Sequence, residues 1–295
     1  MTGVNDKLYI AGISSTKLGK RPDASVKQMV REAVEAALAD AGASVGDIDA
    51  AWFSNTRQPM LEGQNTVRGQ IALRPLGFES VPVVNIENAC ASGSSALIQA
   101  MAHLRAGMAD IALVVGAEKM VFPARAEAMA AAFEGGTDIH DMEATKAFVR
   151  SLGGDADDES AGKRSIFMDL YAAQARAHMD RFGTTQKDFA AVAAKNHTHA
   201  RHNPLAQYRD PMSAEEVLAD KPIAFPFTRS MCAPLSDGAA AAVVCNAAGL
   251  ARLAEAKPRA LTIRASTLRS GVDRETGEFE RHIGRLTALA AYEEA

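Results

Sequence analysis

The sequence predicts an α/β layered fold, and three observations carry that reading. The apolar run YIAGIS, from Tyr9 to Ser14, is followed by a stretch with a helical period; strands and helices go on alternating through ADIALVVGAE; and a strand–helix pair starts again near residue 258. Alternation of this kind implies parallel strands joined by right-handed crossovers, with helices layered on the sheet.

Taken in order, YIAGIS reads as a buried strand. ASVKQMVREAVEAALADAG then places Val26, Met29, Val30, Ala33, Val34, Ala37 and Leu38 at the spacing of one helix face. Ser25 with Gln28 forms a capping box, and Gly42 is placed to end the helix in a left-handed turn. A strand follows near AAWFSN (Ala50 to Asn55), then a helical stretch around Gln64 to Leu73, then the strand VPVVNI, a helix beginning just after Cys90, and the strand ADIALVVGAE. From Val121 to about Pro222 the rhythm fails. The chain becomes Met-, Ala- and charge-rich, with the acidic run GGDADDES, and reads as an inserted helical subdomain with helices at Ser165 to Phe182 and Thr185 to His202. SDGAAAAVVCN (Ser236 to Asn246) returns to the first sheet. LTIRAST (Leu261 to Thr267) and HIGRLTALAAYEEA (His282 to Ala295) echo the first strand and helix, which is either the start of a second half or a chance likeness in an Ala-rich protein. The expected organisation is therefore residues 1–120 and 223–250 as one domain, 121–222 as the insertion, and 258–295 as the beginning of a second half.

Composition narrows the function classes. With 295 residues, 47% hydrophobic and 23% charged, the chain can bury a substantial core, and its net charge of −4 argues against a general nucleic-acid binder. The longest apolar stretches fall far short of the roughly 18 residues of a membrane span. MTGVNDKLYIAG has neither the basic start nor the apolar core of a secretory signal, so a cytoplasmic setting is expected. Cys90, Cys232 and Cys245 are odd in number and widely spaced, which fits reduced thiols better than a disulfide framework. His197, His199 and His202 do not share one helical face and have no cysteine or carboxylate to complete a set, so no metal is assigned to them.

Cys90 is the residue that carries chemistry. A strand running into a tight turn and then a helix presents the turn residue at the helix start, where unpaired N–H groups and the macrodipole favour a thiolate. The run Ala91, Ser92, Gly93, Ser94 and Ser95 lets a substrate approach the backbone closely, at the expense of helix propensity. Cysteine is also a common core residue, so burial is the competing reading of its position.

NIENACASGSSALIQAMAHLRAG followed by ADIALVVGAEKM resembles the nucleophile strand, turn and helix of the thiolase superfamily. Further on, KNH at Lys195 to His197, NP at Asn203 and Pro204, and CAPLSDGAAAAVV from Cys232 to Val244 resemble its lipid-transfer-protein branch, also called the sterol-carrier-protein thiolases. The resemblance implies a five-layered αβαβα fold of two similar halves with a helical loop domain inserted in the first, assembled as a homodimer. It implies that Cys90 takes an acyl group as a thioester and exchanges it with coenzyme A, a co-substrate, with no permanently bound cofactor. Its own N–H would help hold the oxyanion. It implies that coenzyme A meets basic residues of the insertion, of which Arg125, Lys146, Arg150, Lys163 and Arg164 are candidates, with His197 a hydrogen-bonding residue of that domain. Branch relatives that pair with a small OB-fold and zinc-ribbon protein make such a partner an expectation too. The family's second-half blocks, Asn-Glu-Ala-Phe or His-Asp-Ala-Phe, Gly-His-Pro and a second cysteine before glycine, do not occur in these 295 residues. The chain therefore reads as the N-terminal part of the family's length. The acyl-CoA would be bulky, branched or aromatic, and the rival readings are a retro-aldol lyase subunit or a non-catalytic assembly subunit.

Overall fold

The computed structural model describes residues 7–153, 165–274 and 277–295. These divide into two units, one of residues 7–121, 236–272 and 280–295, the other of residues 122–153, 165–235, 273–274 and 277–279. The second unit runs on to Leu235, beyond Pro222.

The first unit opens with β1 (Leu8–Ser15) and α1 (Val26–Ala41), whose seven expected core positions are all buried. Ser25 accepts the Gln28 N–H at 3.2 Å while Gln28 Oε1 accepts the Ser25 N–H at 2.8 Å, and Gly42 closes the helix at φ 60°. Then come β2 (Ala50–Ser54), α2 (Gln58–Glu62), α3 (Arg68–Leu73), β3 (Val83–Ile86), α4 (Ser92–Arg105) and β4 (Ile111–Glu118). Of the helical stretch expected around Gln64 to Leu73 only Arg68–Leu73 is a helix, α3, and α2 lies wholly before it. Gly63 leaves α2 at φ 78° and Val67 enters α3 at φ 47°, so the left-handed residues at both ends keep 64–67 out of a helix.

The second unit holds α5 (Ala126–Glu134), α6 (Met142–Ser151), α7 (Ile166–Phe182), α8 (Gln186–Ala200), α9 (Ala214–Ala219) and a small ribbon of β5 (Pro222–Ala224) with β6 (Phe227–Thr228). α7 and α8 lie where the sequence places them. The chain then returns to the first unit as β7 (Gly238–Cys245), α10 (Ala247–Arg252), β8 (Leu261–Ile263) and α11 (Ile283–Glu294).

One six-stranded sheet runs β3-β2-β4-β7-β1-β8. β2 is parallel to β3 and β4, whereas β7 is antiparallel to both β4 and β1, and β8 is antiparallel to β1. The all-parallel expectation therefore holds for β1 to β4 and fails for β7 and β8. Alternation of strand and helix fixes crossovers only between neighbours, and β7 arrives from the insertion rather than from a crossover helix. The strands alternate their burial as a two-faced sheet requires. Ala51, Phe53, Ile111, Leu113, Val115, Ala241 and Val243 join the α1 and α3 side chains in one core, while Ala50, Trp52, Ala112, Val114 and Val244 pack with Ala96, Ala100, Met101 and Leu104 of α4 in the other. Each fully buried aliphatic chain here stabilises the fold by about 1.5–3 kcal/mol. The sheet thus clamps α4, and with it the turn that carries Cys90, against a rigid face. Among the described residues, no helix is long and apolar enough to cross a membrane.

Candidate active site

The carboxyl ends of β2, β3 and β4 lie side by side, and β7 begins where β4 ends, with Gly238 opposite Glu118. Open α/β sheets bind ligands beyond such strand ends. A groove of about 450 Å³ occupies this place, lined among others by Thr56, Cys90, Ser92, Glu118, Asp237 and Ala240. Its floor is made of small residues for a packing reason: a Cβ on Gly116 would come within 2.7 Å of Ser54 Oγ.

Cys90 stands in the short 3-10 turn Ala89–Ala91 between β3 and α4, and it is exposed. Ala89, immediately before it, has φ 45°, a conformation an alanine holds only where its surroundings impose it. The surroundings are visible. Ser92 Oγ donates to the Ala89 carbonyl at 2.7 Å and accepts the Asn88 N–H at 2.8 Å. Asn88 Nδ2 donates to Ser95 Oγ at 2.8 Å, and the Ala89 N–H donates to Glu87 Oε1 at 2.7 Å. The serines that looked like mere small residues in the sequence are thus the bolts of the turn, and Ser92 and Ser95 are buried to serve that role. Cys90 is left at the head of α4 with a positive helix end behind it.

The other two cysteines differ in kind. Cys245 is fully buried in β7 and its thiol is pushed up to about 11 by desolvation. Cys232, in the second unit, is half-buried with its Sγ 3.4 Å from the Thr228 carbonyl, and burial raises its pKa as well. Both are less prone to ionise than an ordinary thiol.

Two carboxylates share the groove with Cys90, and the sequence singled out neither as part of the site. Glu118 closes β4 and accepts the N–H groups of Thr56 at 3.0 Å and Arg57 at 2.9 Å, together with Asn55 Nδ2 at 3.1 Å. Burial raises its pKa, against those backbone hydrogen bonds and the nearby Arg57 and Arg68 charges, which lower it. The signal available in the sequence was a lone acid ending the apolar run IALVVGAE. Asp237, immediately before β7, is wholly buried. Its Oδ1 accepts the N–H groups of Met120 and Val121 at 2.7 and 2.8 Å, its Oδ2 accepts the Arg21 N–H at 2.8 Å, and Lys119 Nζ lies 3.7 Å away.

The remaining sequence candidates belong to the second unit. Arg125 is exposed, with its guanidinium 6.0 Å from the centre of the Phe122 ring. Arg150, on α6, is exposed and 3.5 Å from Glu143. His197, on α8, has Nε2 3.0 Å from the Ser230 carbonyl, a hydrogen bond within its own unit. Lys163 and Arg164, with most of the acidic run before them, lie outside the described residues.

The chain is thus an α/β protein of a kind that presents an exposed cysteine at a strained strand-to-helix turn. Comparison with known proteins says which one. Residues 8–248 match the family model "Thiolase, N-terminal domain", so the chain belongs to the thiolase family, and its relatives include non-specific lipid-transfer and sterol carrier proteins. It is 33% identical over 239 residues to an acetyl-CoA acetyltransferase of Methanothermobacter thermautotrophicus, covering 81% of this chain and 56% of that one. It is 30% identical over 269 residues to the benzoylsuccinyl-CoA thiolase subunit BbsB of Thauera aromatica, covering 90% and 61%. The Ltp2-ChsH2(DUF35) aldolase structure superposes with a TM-score of 0.65 at 22% identity, covering 95% of this chain and 66% of that one. The chain thus spans between about half and two thirds of the length of these relatives.

Proposed function

We propose that this chain carries the nucleophile half of a thiolase-type acyl-CoA C-acyltransferase that cleaves a 3-ketoacyl-CoA in a catabolic setting. The observation that carries the reading is Cys90, exposed at the start of α4 on a turn whose preceding residue is held left-handed, and open to a groove. The Cys90 thiolate attacks the C3 carbonyl of the substrate, and the oxyanion forms beside the N–H groups at the head of α4. The C2–C3 bond then breaks. Its electron pair leaves with acetyl-CoA, which takes up a proton, and the acyl group stays on Cys90 as a thioester. Coenzyme A gives up its thiol proton, takes the acyl group and restores the thiolate.

The insertion supplies the coenzyme A contacts in this reading, through Arg125, Arg150, Lys163, Arg164 and His197, of which Arg125 and Arg150 are exposed. The acyl group is bulky, branched or aromatic; the small-residue groove and the likeness to a benzoylsuccinyl-CoA thiolase subunit support that class. The reading includes a homodimer, for which β3 at the sheet edge is the support, and a small OB-fold and zinc-ribbon partner, for which the DUF35 component of the aldolase is the support. It places the protein in the cytoplasm, where unpaired thiols stay reduced, treats residues 258–295 as the start of the family's second half, and assigns no resident cofactor.

The test is the intact mass of the protein after brief exposure to a panel of 3-ketoacyl-CoA and acyl-CoA thioesters, beside Cys90→Ser. An acyl adduct present in the native protein and lost in Cys90→Ser is the expected result. A protein that cleaves a hydroxyacyl-CoA without ever carrying an adduct would replace this reading with a retro-aldol lyase, and one that does neither would be an assembly subunit.

A further inference from the structure

The Cys90 turn is bolted from within by Ser92 and Asn88, but one of its contacts comes from outside. Thr56 Oγ1 lies 3.3 Å from both the Ala89 carbonyl oxygen and Ser92 Oγ. It touches the strained residue and the serine that restrains it. Thr56 belongs to a three-residue loop, Asn55 to Arg57, between β2 and α2.

What holds the loop is Glu118. Its carboxylate takes the main-chain N–H groups of Thr56 and Arg57 and the side-chain amide of Asn55, one contact for each residue of the loop. Asn55 is held further by its Nδ2, which donates to the Ala117 carbonyl at 2.7 Å, and by Arg68 Nη1, which donates to the Asn55 carbonyl and Oδ1 at 2.9 Å each. β4 is a central strand of the sheet, paired along its length to β2 and β7. A rigid strand, a half-buried carboxylate, a short loop and the Cys90 turn therefore form one continuous chain of contacts.

We infer that Glu118 is a positioning residue for Cys90, acting through Thr56 to keep the turn at Ala89 in the geometry that places the thiol at the head of α4. This rests on the reading of Cys90 as nucleophile, although it can be tested without acyl transfer. Glu118 exchanges no proton with substrate in this role. Strained backbone persists only where contacts over-determine it, and removing Thr56 or Glu118 lets Ala89 relax toward negative φ. The thiol then leaves the position at the head of α4 in which the turn presents it to the groove.

The experiment is the second-order rate of Cys90 alkylation by iodoacetamide at neutral pH, read by intact mass with Cys90→Ser as the background. Native protein, Thr56→Val, Thr56→Ser, Glu118→Ala and the Thr56→Val/Glu118→Ala double variant are compared. Thr56→Val and Glu118→Ala should each slow alkylation about tenfold, the effect of losing one well-placed hydrogen-bonding group. Thr56→Ser, which keeps the hydroxyl, should restore most of the rate. The double variant should be no slower than the slower single one, because both substitutions cut the same chain of contacts. General destabilisation would give neither the serine rescue nor the non-additivity. Multiplying losses, an unchanged rate in Thr56→Val, or faster alkylation in Glu118→Ala would each overturn the inference. If Glu118→Ala does not fold, the valine and serine pair decides alone. Acyl adducts failing to form while this alkylation pattern holds would sink the thiolase reading and leave the positioning role standing.

Discussion

Glu118 and Asp237 are carboxylates in one groove, one residue apart in sheet register, and both take two or three main-chain N–H groups. They nevertheless sit in different electrostatic company. Asp237 is 0% exposed and faces Lys119, itself only 6% exposed, whose Nζ also donates to the Arg21 carbonyl at 2.7 Å. That arrangement ties residues 19–22, 119–121 and 237 together where the chain leaves the first unit and where it comes back. Glu118 has the charges of Arg57 and Arg68 near it, but burial outweighs them and raises its proton affinity. Asp237, hydrogen-bonded beside a buried cation, is a structural knot, and Glu118, where burial dominates, holds a proton more tightly than an ordinary carboxylate.

The comparison breaks first on stability. Asp237→Ala should lose about 3 kcal/mol, because it removes the carboxylate facing a buried ammonium and leaves three main-chain N–H groups without this acceptor. Urea denaturation at pH 7 reads this directly, and Glu118→Ala should lose less. The reverse order would mean that the lysine contributes little and that the two carboxylates are one kind of feature.

Neither network could be read from the chain. The contacts of Glu118 reach back 61 to 63 residues and those of Asp237 reach back 116 to 216, and no local pattern encodes such pairings. What was legible is what short-range chemistry writes: the seven buried positions of α1, the Ser25–Gln28 box, the Gly42 cap, the limits of α7 and α8, and a cysteine set among small residues at a strand-to-helix turn. The direction of β7 was not legible, since an apolar run states that a strand is buried and not which way it runs. α2 was not read at all, and the late start of α3 was missed because Val67 is left-handed, a conformation its β-branched side chain disfavours. The serines of the Cys90 turn lie between these cases. Their presence was plain, but their burial and hydrogen-bonding duty were not.

The second contrast is with pH. In the folded protein Glu118 has a pKa above its ordinary value of 4.5, so the native state holds this proton more tightly than the unfolded chain does. Its share of stability is then complete below pH 4.5 and is lost as pH rises through the raised folded value. Glu118→Gln cannot titrate. The stability difference between native protein and Glu118→Gln should therefore shift against the native protein as pH rises from about 4.5, measured as urea midpoints across that range. A flat difference would show that Arg57 and Arg68 fully offset burial, making Glu118 a second knot like Asp237.

Asp220, in the second unit, sharpens the sign of that argument at the smallest scale. The Ser230 hydroxyl, with the Lys221 N–H and Arg229, holds its pKa at about 2. Its contribution has the opposite pH dependence from that of Glu118: present above the ordinary value of 3.8, and lost as pH falls toward about 2. Arg229 is 70% exposed, so the Arg229–Asp220 ion pair is screened and should contribute no more than about 1 kcal/mol. Asp220→Asn should accordingly be slightly less stable than native protein at pH 7, with the gap closing by about pH 2 in acid unfolding followed by circular dichroism. A gap that widens on acidification would mean that Ser230 and Arg229 do not prefer the charged carboxylate, and the contrast between burial and hydrogen bonding as rulers of these groups would fail at its simplest instance.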